Sequence, residues 1–223
     1  RVRSHVHFAD WTQSPDAAEA LLARPSVHMV TITVTESGYY LDEAGALNPE
    51  DPVMKAELSG GNPTTIYGYL SRALALRKAA NLGEISIMCC DNIRQNGKML
   101  QRNLFAYLGI QDNSELADWV KSSVTFPCSM VDRITPRSTE ALRLDVESLF
   151  GPSPFAPVMA EDFLQWVVED DFIAVRPDLP KVGVTFTKNV DPYEEAKIRI
   201  LNGGHTCLTY LGALAGHNTF DQV

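Results

Sequence analysis

The chain has 223 residues, 45% of them hydrophobic, and a net charge of −9 without a basic cluster. This charge argues against nucleic acid and anionic membrane surfaces as partners. No apolar run approaches the length of a membrane span, and the opening RVRSHVHFADW lacks the apolar core of a signal peptide. The four cysteines lack paired zinc spacing. We therefore expect a cytoplasmic protein with reduced thiols that acts on a small molecule.

The first half of the chain predicts alternating strands and helices. Residues 2–11 alternate as a short strand does, and a helix is expected over 16–24. The β-branched run 27–35 predicts a strand buried on both faces. A long amphipathic pattern over 64–83 predicts a helix stopped by Gly83, and EISIMCC (84–90) predicts a second buried strand.

The second half continues this alternation and then changes character. Helices are expected over 98–108 and 114–121, followed by a strand-like segment over 124–137. Residues 161–172 fit either a helix or a strand with Trp166, Val167 and Val168 in a core, and 181–188 resembles a strand. Pro192 then opens a long helix that ends near Gly216. We predict an α/β domain with a parallel sheet over 1–180 and the start of a mainly helical domain over 181–223.

Polar residues follow two of the predicted strands. Thr35 and Glu36 come after the first buried strand, and Asn92 comes after the second. Ligands of open parallel sheets bind at the carboxyl ends of the strands, so these residues are candidates for a binding crevice. Each has an ordinary structural explanation too: Asn92 fits a turn, and Asp132 fits a local ion pair with Arg133.

The long helix near the C-terminus carries three different polar groups on one arc. At about 100° per residue from Lys197, Glu194 falls near 60°, His205 near 80° and Asn202 near 140°. Burial disfavours the charged form of an amine, so a lysine in a cleft can act as a base toward an alcohol, with amide and ring N–H groups steadying the oxygen. The alternative is a solvent-exposed helix with a solvated lysine, a capping asparagine and a satisfied histidine.

Five segments together resemble one enzyme family, and they cover essentially the whole chain in order. They are TESGYY (35–40), CDNIRQNGK (90–98), FPCSMVDRITPR (126–137), QWVVEDDF (165–172) and PYEEAKIRILNGGH (192–205). The family is that of the polyol-specific long-chain dehydrogenases. The resemblance implies a Rossmann-like domain, a polyol or ketose substrate, hydride transfer to NAD, no metal, and a monomeric full-length enzyme.

The resemblance also implies a role for each candidate residue. Lys197 is the general base, and Asn202 with Asn92 stabilises the oxyanion. Glu194 lies on the path that exchanges the lysine proton with solvent, and His205 binds substrate hydroxyls. The cofactor-binding positions are expected at Val131, Asp132, Thr35 and Glu36.

Several alternatives stay open at this point. Four stretches are most similar to the D-arabinitol 4-dehydrogenase branch, with the mannitol 2-dehydrogenase branch and the hexuronate reductases as alternatives: TESGYYL, TTIYGYLSRAL, QWVVEDDFIAVRPDLPKVGV and PYEEAKIRILN. The family's glycine-rich dinucleotide motif is expected ahead of Arg1 and its helical domain beyond Val223, so an inert fragment is a second hypothesis. A third, a metal-dependent hydrolase using His205, lacks a second histidine at ligand spacing. Cys128 stands where relatives often have asparagine.

Overall fold

The computed structural model describes residues 5–152, 156–219 and 222. Its helices are α1 (Pro15–Leu22), α2 (Pro52–Leu58), α3 (Ile66–Ala79), α4 (Asn96–Ile110), α5 (Ser114–Ser123), α6 (Glu140–Phe150), α7 (Asp191–Ala196) and α8 (Gly203–Leu214), with 3-10 turns at Glu36–Tyr39 and Leu179–Val182. Its strands are β1 (Met29–Ile32), β2 (Ile85–Cys89), β3 (Val124–Thr125), β4 (Ser129–Asp132), β5 (Gln165–Glu169) and β6 (Thr185–Thr187).

The first sheet is parallel, in the order β1-β2-β3. Helices α2 and α3 connect β1 to β2, and α4 and α5 connect β2 to β3, as parallel neighbours require. Every residue of the central strand β2 is buried. This is the Rossmann-like architecture expected for the α/β domain.

The second sheet has the order β4-β5-β6, with β4 antiparallel to β5 and β5 parallel to β6. The sequence predicted one strand-like segment over 124–137, and that prediction was wrong. The run is divided at Phe126-Pro127-Cys128 into β3 and β4, which belong to different sheets. Proline has no N–H to donate to a ladder, so it interrupts the strand there.

Strand β2 contributes side chains to two cores. Ile85, Ile87 and Cys89 lie in the main core, which the surrounding helices complete. Met88 points the other way and joins Val168 and the cluster beneath the second sheet. Successive side chains of a strand point to opposite faces, so β2 contributes to the cores of both sheets. The carboxyl end of β2 therefore lies where the two sheets meet.

Two predicted strands differ from the structure. Residues 5–10 of the expected first strand have no regular structure, with Val6 and Phe8 strongly exposed, and residues 1–4 lie outside the described part. The expected strand 27–35 shortens to β1, in which only Ile32 is buried. The composition of this segment predicted a strand buried on both faces. Strand β1 instead lies at the edge of its three-stranded sheet, which leaves it more exposed.

The helix opened by Pro192 is continuous but not α-helical throughout. Residues Lys197–Asn202 between α7 and α8 form a π-helix. We name 191–214 the C-terminal helix. Its apolar side is open, since Ile198, Ile200 and Leu208 are 42%, 76% and 41% exposed. Across the described residues, no helix is long and apolar enough to cross a membrane.

Candidate active site

Asp91 organises the carboxyl ends of β1 and β2. Its carboxylate accepts hydrogen bonds from the backbone N–H groups of Val34 (3.0 Å) and Thr35 (2.9 Å), and from the hydroxyl of Tyr39 (2.5 Å). Asp91 is only 5% exposed. Thr35 has a φ of 61°, a backbone conformation that non-glycine residues rarely adopt without support. The Asp91 carboxylate thus holds the turn that leads into Glu36.

The Lys197 amine lies at the same end of the sheet. Its Nζ donates to Asn92 Oδ1 at 3.0 Å and to the Val131 carbonyl at 2.5 Å, and Asp132 Oδ1 lies 3.9 Å away. The Lys197 side chain is 9% exposed, so the solvated-lysine alternative does not describe it. The ion pair expected between Asp132 and Arg133 is also absent from the described contacts, because Asp132 faces Lys197 and the Arg133 guanidinium donates to the Glu161 carbonyl.

The contact with Lys197 determines which way the Asn92 amide points. The Lys197 Nζ carries N–H donors whether the amine is neutral or charged, and it donates to Asn92 Oδ1, so the carbonyl oxygen of Asn92 faces the amine. The amide NH₂ of Asn92 is then directed away from Lys197. This orientation leaves a donor available for a ligand oxygen beside the amine.

The π-helix changes the predicted geometry of the arc. At about 100° per residue, Lys197 and Asn202 would stand about 140° apart. A π-helix closes its hydrogen bonds from i to i+5, which brings residues five apart onto one face. Lys197 and Asn202 are five apart, and both line the same cleft. The asparagine is therefore closer in direction to the lysine than an α-helix would place it.

Glu194 lines the cleft and is buried, at 4% exposure. Its two carboxylate oxygens accept from the backbone N–H of Gln95, at 3.1 and 3.2 Å. Burial raises the pKa of Glu194 above its usual value, against the opposing effect of that hydrogen bond. A carboxyl group with this tendency to hold a proton lies one helical turn before Lys197.

The structure brings most of the predicted site residues together. One cleft is lined by six of them: Glu36, Asn92, Val131, Glu194, Lys197 and Asn202. A second cleft, mostly apolar, is lined by Asp132 and His205 and shares Lys197 with the first. Thr35 lines neither of these two clefts. Its backbone N–H donates to the Asp91 carboxylate, and Asp91 lines the first cleft. The predicted functions of these nine residues stay predictions.

Sequence reasoning missed several residues around the first cleft. Arg94 and Ser129 also line it. Asn96 lies behind it, fully buried, and joins the end of β2 to β4. The signal for Asn96 was the NG pair, which the sequence indicates only as a turn. A Cβ on Gly97 would lie 2.2 Å from the Phe126 carbonyl oxygen, so glycine there permits a close backbone approach.

The described residues contain neither a cluster of metal-ligand side chains nor a disulfide. Within 5–152, 156–219 and 222, no three His, Cys, Asp or Glu side chains form a group that can hold a metal ion. All four cysteines are free. Burial raises the pKa of Cys89 to about 12 and that of Cys90 to about 11, so both thiols stay protonated at neutral pH.

The fold and the clefts define an α/β protein with a Rossmann-like sheet and a buried lysine at the carboxyl ends of its strands. Residues 2–181 match the family model described as the mannitol dehydrogenase Rossmann domain, and residues 189–223 match the mannitol dehydrogenase C-terminal domain. The chain therefore belongs to the mannitol dehydrogenase family.

Individual relatives agree with this membership. D-arabinitol 4-dehydrogenase of Ralstonia nicotianae is 41% identical over 96% of this chain and 46% of its own length. Mannitol 2-dehydrogenase of Pyrenophora tritici-repentis is 40% identical over 97% of this chain and 40% of its own. The solved ternary complex of Pseudomonas fluorescens mannitol 2-dehydrogenase with NAD and D-mannitol is 42% identical, with a TM-score of 0.83 over 92% of this chain and 42% of that one. The chain spans less than half the length of these relatives.

Proposed function

We propose that this chain carries the proton-transfer site of an NAD-dependent polyol dehydrogenase, which interconverts a sugar alcohol and a ketose. The observation that carries the proposal is the position of the Lys197 amine. It lies between the Asn92 amide oxygen and the Val131 carbonyl, at the strand ends where a Rossmann-like sheet binds its ligands. Cytoplasmic location and a monomeric full-length enzyme belong to the same proposal.

The surroundings of Lys197 favour the product of proton abstraction. When the amine takes the proton of a substrate hydroxyl it becomes an ammonium group. Two acceptors within 3.0 Å and the Asp132 carboxylate at 3.9 Å then stabilise that charge. Lys197 thus acts as the base toward an alcohol and as the acid toward a ketone in the reverse direction.

Two amides supply donors for the oxygen that loses the proton. The Asn92 NH₂ points away from Lys197, and Asn202 shares the cleft by virtue of the π-helix. Donors positioned before the reaction stabilise the developing negative charge without reorganisation. His205, in the adjoining cleft with Asp132, is placed to bind substrate hydroxyls further from the reacting carbon.

The described residues fit the nicotinamide end of NAD. The cleft lies at the carboxyl ends of β1, β2 and β4, and Glu36 and Val131 both line it. When bound, NAD supplies the acceptor for the hydride. At about 230 Å³ the cleft is smaller than typical ligand pockets of about 300–1,000 Å³, so a dinucleotide extends beyond it.

Glu194 gives the lysine a route for its proton. Glu194 lines the cleft that also holds Lys197, and burial raises the pKa of its carboxyl group above the usual value, which favours a group that can hold a proton. We assign to Glu194 the exchange of the Lys197 proton with solvent.

For the substrate we propose D-arabinitol, oxidised to D-xylulose. The support is the similarity of four segments, TESGYYL, TTIYGYLSRAL, QWVVEDDFIAVRPDLPKVGV and PYEEAKIRILN, to the D-arabinitol 4-dehydrogenase branch. D-mannitol is the second candidate, because the chain is equally similar to a solved enzyme whose complex contains D-mannitol. Polyols of five and six carbons differ in hydroxyl contacts, which polar pockets distinguish strongly.

The test is a substrate panel on the complete gene product, following NADH formation with D-arabinitol, D-mannitol and D-sorbitol. We expect the highest kcat/KM with D-arabinitol. Fastest turnover of D-mannitol would move the assignment to the second candidate. No NADH formation with any polyol, and no NADH consumption with the matching ketoses or hexuronates, would reject the dehydrogenase proposal and favour an inert fragment.

A further inference from the structure

The amide of Asn96 joins the two sheets directly beneath the cleft. Its Nδ2 donates to the Asp91 carbonyl at 2.9 Å and to the Ser129 carbonyl at 2.8 Å. Its Oδ1 accepts from the backbone N–H of Gly97 at 2.8 Å and of Ser129 at 3.0 Å. Asn96 is fully buried, so its side chain makes all four hydrogen bonds with protein groups.

The residues that Asn96 joins are next to those that hold the lysine. Asp91 precedes Asn92, whose amide oxygen accepts from Lys197. Ser129 lies two residues before Val131, whose carbonyl also accepts from Lys197. The Asn96 amide therefore spans the same gap, between the end of β2 and strand β4, that the Lys197 amine spans nearer the cleft.

We infer that Asn96 is a positioning residue, which sets the spacing of the two acceptors that hold the Lys197 amine. This inference rests on the proposed polyol dehydrogenase function. Asn96 lines neither of the two clefts described above, so its effect passes through the backbone of Asp91 and Ser129. An amide satisfies the site because it offers two donors to the two carbonyls and one acceptor to two N–H groups.

The substitution Asn96→Asp tests this with almost no change in shape. A carboxylate oxygen then faces the carbonyls of Asp91 and Ser129, which repels them and widens the gap. Displacement of a reacting group by about 1 Å costs about 100-fold in rate. We expect kcat for polyol oxidation to fall about 100-fold while KM for NAD stays nearly unchanged.

The chain offers a matched control in the same helix. Asn103 is 1% exposed and also bonds backbone groups, accepting from Leu47 N–H at 3.0 Å, far along α4 from the cleft. Asn103→Asp introduces the same charge at the same degree of burial. Thermal unfolding measures the stability loss of both variants, and we expect kcat of Asn103→Asp, assayed well below its midpoint, to stay close to that of the wild type.

Ser129→Ala provides a second, milder test should Asn96→Asp fail to fold. The Ser129 hydroxyl donates to the Cys89 carbonyl at 2.6 Å across the same gap. Loss of this bond frees β4 from the end of β2, and we expect kcat to fall by up to about fivefold, the factor that corresponds to one hydrogen bond expressed fully in the activation barrier.

The outcomes separate this inference from the proposed function. An inactive wild type on every polyol counts against the proposed function. An active wild type, with Asn96→Asp or Ser129→Ala no slower than Asn103→Asp, overturns the positioning role alone. Equal losses of kcat in Asn96→Asp and Asn103→Asp also overturn it, because they would show a general effect of stability.

Discussion

Strand β2 and the C-terminal helix are both rich in large apolar residues, yet the fold uses them in opposite ways. All five residues of β2 are buried, and two cores meet on it. In the C-terminal helix Ile200 is 76% exposed and Leu214 is 85% exposed. The buried side of this helix is its polar side, with Glu194 and Lys197 directed at the cleft.

The contrast separates the source of stability from the source of chemistry. Burial of apolar area stabilises the fold, and β2 contributes fully to that term. Tyr193 of the C-terminal helix packs on the small core of Cys128, Met130 and Val167, and polar contacts hold the rest of the helix to the strand ends. Besides the Lys197 contacts, Gln95 Nε2 donates to Asp191 at 3.1 Å and the Arg94 guanidinium pairs with Glu195 at 3.1 Å. Such contacts determine orientation more than they determine stability.

The largest expected effect concerns one isoleucine in each region. Ile87→Ala in β2 removes a fully buried side chain and should lower the free energy of unfolding by about 2–5 kcal/mol. Ile200→Ala makes the same change on the exposed side of the helix and should alter it by less than about 0.5 kcal/mol. Urea unfolding of both variants measures the difference. Equal losses would show that the helix carries as much of the apolar core as β2.

A smaller effect is expected at Glu194, and it depends on pH. Because burial raises the pKa of Glu194, the folded protein binds that proton more tightly than the unfolded chain does. Stability linked to this group is fully present below the unfolded pKa of about 4.3 and is lost as pH rises through the raised folded value. Glu194→Gln should therefore be more stable than the wild type at neutral pH, with the gap closing in acid.

Thermal unfolding of Glu194→Gln across this pH range checks the sign. The neighbouring Glu195→Gln is the control, since Glu195 pairs with Arg94 and Arg199 and its loss should not stabilise the protein at neutral pH. A Glu194→Gln variant that is less stable than the wild type at every pH would show that the Gln95 hydrogen bond outweighs the cost of burial.

Local patterns in the sequence were enough to predict much of the fold. The run of apolar residues at 84–90 became β2, and α3, α4 and α5 appeared within a few residues of their predicted bounds. Glu36 and Asn92, which follow two strands of the parallel sheet, line one cleft, as expected for residues at one edge of such a sheet. Lys197 lines the same cleft, and only the family resemblance linked it to Asn92.

Other features depend on contacts that composition does not encode. In the π-helix at Lys197–Asn202 the backbone hydrogen bonds run from i to i+5. The spacing of apolar residues in the sequence does not reveal this change, which turns Asn202 toward Lys197. The separation of β3 from β4 and the four bonds of Asn96 arise from tertiary packing between distant segments. Helix α6 was missed although its sequence signals a helix, since Thr139 caps its start by accepting from the Leu142 N–H; none of its residues is buried.

The central claim, that the Lys197 amine transfers the substrate proton, is tested most directly by kcat of Lys197→Ala on the complete gene product. Loss of a positioned base should lower kcat for the preferred polyol by about 1,000-fold and leave NAD affinity nearly unchanged. Lys181→Ala, which removes an amine that is 80% exposed, is the control and should turn over like the wild type. Polyol oxidation by Lys197→Ala at the wild-type rate would contradict the account.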